Sequence, residues 1–140
     1  MFSLIKNARL TVSLKISPRE SVIMATDFKT MVAWYTNVLG LKLVTLFEDH
    51  YNYAYLESES GIKIGIADAK EMGVDTKDRK NNSVVLQFEV KNVQEFFDYI
   101  QENGGTPTFG PSHDKALDFW YGGFSDIEGN PFWVVDEKCP

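Results

Sequence analysis

The sequence predicts an α+β fold: two tandem βαβββ modules forming a curved mixed sheet around a cleft, with the helices on the outer face. Two observations carry this. Residues 27–43 read as a capped amphipathic helix, a glycine stop and the start of a strand, and a weaker copy, VKNVQEFFDYIQENGGTP, starts at Val90. The caps Asp27 and Asn92 lie 65 positions apart, and each copy sits between one strand pattern before it and three after it. The halves share little identity, so the duplication is one of pattern.

Residues 1–19 form an N-terminal extension. Leu10, Val12, Leu14 and Ile16 alternate with Thr11, Ser13 and Lys15, which is strand periodicity, and Pro18 ends it. The segment reads as an added edge strand, an arm packing on a partner subunit, or a partly ordered leader. The first module takes residues 20–69. Residues 21–25 are a short strand. Asp27 caps the helix by accepting from free N–H groups of the first turn. Phe28, Met31, Val32, Tyr35, Val38 and Leu39 follow helical spacing, and Gly40 supplies the left-handed stop. Strands follow at 41–47, 53–57 and 62–67.

Residues 70–82 are polar and read as a linker. The second module takes residues 83–138, within one domain overall. Its first strand is 84–90. Asn92 caps the second helix, with Glu95 as a capping-box partner, and Val93, Phe96, Phe97 and Ile100 form the buried stripe. Gly104 and Gly105 stop the helix. Residues 106–109 are a short strand, 109–115 a loop, and 118–125 and 132–136 strands joined by a turn at 127–130.

The chain of 140 residues is 44% hydrophobic and 24% charged, which is enough to build a core without staples. Its net charge of −6, with no Lys/Arg cluster, argues against nucleic acid as a partner. One cysteine, Cys139, allows no disulfide within the chain and suits a cytoplasmic location. No apolar run approaches the roughly 20 residues of a membrane span, so no membrane role is expected.

The motifs Asp27-Phe28-Lys29, Ala33-Trp34-Tyr35, Val38-Leu39-Gly40-Leu41 and Asp126-Ile127-Glu128-Gly129-Asn130-Pro131 resemble, in this order, the vicinal oxygen chelate superfamily. That superfamily includes glyoxalase I, extradiol dioxygenases, fosfomycin-resistance transferases and bleomycin-binding proteins. The resemblance covers residues 20–138. It implies a homodimer whose cleft is completed by exchange of modules, and in the enzymes a divalent metal held on the inner strand faces. Carried over one at a time, the metal positions fall on Glu20, Gly65, Val85 and Trp133. Only Glu20 is a donor, whereas such metals need roughly three or more. No metal and no cofactor are therefore expected.

His50, in a predicted turn, and His113, in a predicted loop, have no partner at metal-ligand spacing. No nucleophilic triad or phosphate-cradling glycine loop is present. Strand parity instead aims Glu20 and Met24, Tyr53 and Tyr55, Val85, Gln87 and Glu89, Phe119 and Tyr121, and Trp133 into the cleft. This set suits a flat aromatic or cationic small molecule, because aromatic faces attract cations by roughly 0.5–2 kcal/mol per contact. The competing reading is that these aromatics fill the interface between modules as core, with Trp133 as a plug.

The leading expectation is a protein that sequesters a small molecule in a metal-free cleft, like the bleomycin-binding branch. The alternative is a lyase or dioxygenase with unusual metal ligands, or with Glu20 or Glu89 as general base at a raised pKa. A third is an interaction module without a ligand.

Overall fold

The computed structural model describes residues 15–140. The strand pattern centred on Leu10, Val12 and Leu14 falls outside the described residues. Residues 15–20 carry no regular structure. The first module is β1 (Ser21–Ala25), α1 (Phe28–Asn37), β2 (Lys42–Phe47), β3 (Tyr53–Glu57) and β4 (Lys63–Asp68). The second is β5 (Leu86–Glu89), α2 (Val93–Glu102), β6 (Thr106–Asp114), β7 (Phe119–Ser125) and β8 (Pro131–Val135).

Each module makes a four-stranded mixed sheet, in the orders β1-β4-β3-β2 and β5-β8-β7-β6. The β1–β4 and β5–β8 pairs are parallel and the rest antiparallel. The repeated order puts the crossover helix of each module on one face of its sheet.

Both helices start on the predicted caps. Asp27 accepts from the Thr30 N–H at 3.1 Å and Asn92 from the Glu95 N–H at 3.0 Å. Gly40 and Gly104 take the positive φ values, 72° and 94°, that end each helix. Alternation along the strands then sorts the faces. Ile23, Ala54, Leu56, Ile64 and Ile66 in the first sheet, and Phe124, Phe132 and Val134 in the second, are buried under the helices.

These helix-side faces do not form two separate cores. Phe28, Met31 and Tyr35 of α1 join Val93, Phe97 and Ile100 of α2 in a single apolar cluster. Polar ties bind it. The Trp34 indole N–H donates to the Asn103 carbonyl at 2.7 Å, the Tyr99 hydroxyl to the Val38 carbonyl at 2.7 Å, and the buried Tyr35 hydroxyl to Asp126 at 2.6 Å. Asp126 also accepts from the backbone N–H groups of Glu128 and Asn130 and from the Asn130 amide. The Asp126–Asn130 turn is thus clamped onto the first module.

One expectation is corrected. The loop expected at 109–115 is strand: β6 continues to Asp114, paired with β7 as far as Asp114 opposite Phe119. Register shifts around Phe109 let the ladder step past Gly110-Pro111, and β6 is an edge strand, where proline is tolerated. The 70–82 segment is more than a connector. A short 3₁₀ turn, Arg79–Asn81, places the Arg79 guanidinium between the modules. There it donates to the Met24 carbonyl, Asn130 Oδ1, Thr26 Oγ1 and Glu128.

Candidate functional site

The faces turned away from the helices carry the predicted site residues. On the first sheet, register sets Val22, Gly65, Tyr55 and Thr45 side by side, and Met24, Ala67, Tyr53 and Phe47 in the next row. Glu20 lies just before β1. Its carboxylate accepts the Tyr53 hydroxyl at 2.8 Å. Tyr53 reaches it by folding flat over Gly65: a Cβ on Gly65 would lie 2.0 Å from the Tyr53 hydroxyl. The Tyr55 hydroxyl donates in the same way to Glu57 on the same strand.

A cavity of about 520 Å³ opens here, lined by Arg19, Glu20, Thr45, Phe47, Tyr51, Tyr53 and Tyr55. Phe47 and Tyr51 stack along one side, with ring centroids 6.2 Å apart. The Glu20 side chain is only 9% exposed, while its neighbour Arg19, 3.2 Å away, is 85% exposed and reaches out over it.

The electrostatics follow from these bonds. A backbone hydrogen bond first, and the Tyr53 hydroxyl second, hold the Glu20 carboxyl below its ordinary value, so it is anionic at neutral pH. Tyr53 is pushed up to about 12, by burial and then by Glu20. Tyr55 is also raised to about 12, chiefly by its bond to Glu57. A general base at raised pKa is therefore not what Glu20 offers.

On the second sheet, Gln87, Trp133, Gly123 and Phe109 form one row and Glu89, Val135, Tyr121 and Ser112 the next. Here Phe109 lies over Gly123 much as Tyr53 lies over Gly65, with a ring carbon 2.3 Å from where a Cβ would sit. Phe109 meets Trp133 edge-on at 6.1 Å and Tyr121 at 6.4 Å, and Phe119 packs on Tyr121 at 5.8 Å. Trp133 remains 49% exposed and Gln87 and Glu89 are exposed, so this face is a surface of the chain and not its core.

The structure thus joins Glu20, Tyr53 and Tyr55 in one cavity. Met24 opens instead onto another, of about 470 Å³, beside Arg79, Val84 and Phe132. Val85, Gln87, Glu89, Phe119, Tyr121 and Trp133 share the far side of the other sheet and line neither cavity. Sequence reasoning missed Thr45, Phe47, Tyr51 and Phe109. Phe47 and Tyr51 sit at and just past the end of an edge strand, and Phe109 stands where the expected short strand meets the expected loop. Alternation alone would not have found Phe47 or Phe109, because irregularities between Leu43 and Thr45 in β2 and between Pro107 and Phe109 in β6 switch the face each strand presents.

His113 is held more firmly than a free loop histidine. Its Nε2 lies 2.9 Å from Asp118 and its ring 5.0 Å from Trp120. Asp118 is kept below the usual carboxylate range by that contact first and by Lys138 second. His50 lies in an exposed turn. Of the four positions where the resemblance puts metal ligands, Gly65, Val85 and Trp133 have no donor side chain. Among the described residues, no three His, Cys, Asp or Glu side chains come together as a metal site. The residues present do not fit a resident metal.

Duplicated βαβββ modules, each with an open sheet face lined by aromatic side chains, define the class of fold to which this chain belongs. The sequence profile of the Glyoxalase/Bleomycin resistance protein/Dioxygenase superfamily matches residues 19–134, and the chain belongs to that superfamily. Solved structures agree on the fold. A member of the same superfamily from Sphaerobacter thermophilus DSM 20745 superposes with a TM-score of 0.69 at 19% identity, covering 89% of this chain and 100% of its own. A family enzyme from Burkholderia phytofirmans PsJN gives 0.65 at 18% identity over 84% of this chain and 95% of its own. The genomically encoded fosfomycin resistance protein FosX from Listeria monocytogenes gives 0.68 at 11% identity over 88% and 94%. The comparison with curated proteins finds no match. No helix among the described residues is long and apolar enough to cross a membrane.

Proposed function

We propose that this protein binds and sequesters a small aromatic or cationic molecule, without a metal, in a cleft completed by a second copy of the chain. The observation that carries this is the cavity at Glu20. A charged carboxylate is fixed by a tyrosine hydroxyl and walled by aromatic rings, which suits a cation with apolar surface. Glu20 is the only donor among the inferred metal positions, which supports metal-free binding.

The arrangement of faces supports a homodimer. Within one chain the two sheets share their helix sides in one core, so the residues read as one site lie on two separate surfaces. The Glu20 face of one protomer opposite the Trp133 face of its partner reunites them. We place the protein in the cytoplasm, in keeping with its single free cysteine.

Titration with small aromatic cations, followed by Trp fluorescence in the wild type and in Trp133→Phe, tests this reading. Saturable quenching that weakens in the variant is expected, and its absence with every cation tried counts against binding. Stoichiometric metal in protein purified without added metal would refute the metal-free site.

A further inference from the structure

We propose that the ligand of the Glu20 cavity is a protonated primary or secondary amine attached to a small aromatic group. The proposal rests on the ligand-binding reading above and narrows it, because the hydrogen-bonding state of the cavity selects among cations. The Tyr53 proton points at Glu20 and the Tyr55 proton at Glu57. With those protons committed, both phenol oxygens present lone pairs, and a carboxylate has about four acceptor positions, of which Tyr53, a backbone N–H and Arg19 fill three on Glu20 and leave two for a ligand once Arg19 is displaced. Among the described residues the only cationic side chain in the lining is Arg19, which is 85% exposed and held on Glu20 by one bond of 3.2 Å. An incoming ammonium can displace it, since the Arg19 end of the pair is solvated and free to swing away while the new cation takes over the charge of the covered Glu20.

The wall is therefore rich in acceptors and poor in donors. A quaternary ammonium satisfies the charge and the aromatic rings but leaves the Glu20 and tyrosine oxygens stripped of water without partners, which is costly. A primary or secondary ammonium supplies two or three N–H groups to those same oxygens. Its aromatic group then lies against the stacked Phe47 and Tyr51.

The test uses the full-length protein at pH 7 and three probes that each carry one phenyl ring: phenethylamine, benzyltrimethylammonium and benzyl alcohol. Each is titrated calorimetrically into wild type and into Glu20→Gln, whose fold is checked by circular dichroism. Phenethylamine should bind at least about tenfold tighter than benzyltrimethylammonium, as one charge-assisted hydrogen bond implies. Glu20→Gln should remove most of that preference. Equal or tighter binding of benzyltrimethylammonium overturns the amine assignment while leaving the cavity a binding site. An amine preference that survives in Glu20→Gln overturns the role given to Glu20. If none of the three probes binds, the ligand-binding reading falls, and the amine assignment with it.

Discussion

Gly65 and Tyr53 act as a unit. The phenol occupies the space a side chain at 65 would need, so the glycine is what lets Tyr53 lie on the sheet and reach Glu20. Gly65→Ala forces the ring outward. Because the displaced atoms end a side chain that can swing toward solvent, stability should fall by less than about 1 kcal/mol. The Tyr53–Glu20 bond should nevertheless break, and in an ultraviolet absorbance titration the tyrosine pKa of about 12 assigned to Tyr53 should drop toward the ordinary value of 10. Tyr35 shows the same physics inside the core. Burial, and then Asp126, push its hydroxyl well above the ordinary range. The native state therefore holds a proton that the unfolded chain releases above about pH 10. The stabilisation is complete below that pH and is lost as pH rises through the folded-state value. Tyr35→Phe should cost about 1–2 kcal/mol at pH 7, and denaturant melts should show that deficit shrinking above pH 10. Strand parity placed Glu20 and Tyr53 on one face from the sequence alone, and the family resemblance added Gly65 to it. Which hydroxyl meets which carboxylate depends on rotamers, and periodicity does not contain them.

At the scale of elements, the start of α1 is capped from both modules. Asp27 covers the Thr30 N–H, while Glu128, in the turn before β8, accepts from the N–H groups of Thr26 at 2.7 Å and Asp27 at 2.8 Å. Arg79 neutralises Glu128 at 2.7 Å, with both side chains nearly covered, at 10% and 13% exposure. Asp27→Ala should cost about 1 kcal/mol, the usual loss of an N-cap. Glu128→Ala should cost more, about 3 kcal/mol, because it leaves the Arg79 charge among buried groups without its partner. Thermal melts of the two variants check the order. The sequence made Asp27 legible as a cap because its partner is three residues away. Glu128 lies 102 positions from Thr26, and nothing local in the Asp126–Asn130 turn announces that contact. The same limit explains β6. Gly110-Pro111 reads as a break in a one-dimensional pattern, whereas pairing with β7 carries the strand past it.

For the whole molecule, duplication in the sequence was enough to give the topology, since a strand, a crossover helix and three strands have few ways to form a sheet. Among the described residues the structure joins the helix sides of the two modules, leaving the Glu20 face and the Trp133 face each without a counterpart. A cleft between chains and a pair of independent surface sites then predict different behaviour when damaged copies are mixed. Glu20→Gln spoils one half-site and Trp133→Ala the other, so each homodimer should bind weakly. Refolding the two variants together, with different affinity tags, allows the heterodimer to be isolated. If each cleft is built from two chains, one cleft of that heterodimer carries both mutations and the other carries neither. Calorimetry should then find one ligand bound per heterodimer at wild-type affinity. Should every cleft belong to a single chain, both sites remain damaged and no tight binding returns. Light scattering on the wild type sets the precondition: a monomer at micromolar concentration would remove the shared cleft before any mixing was done.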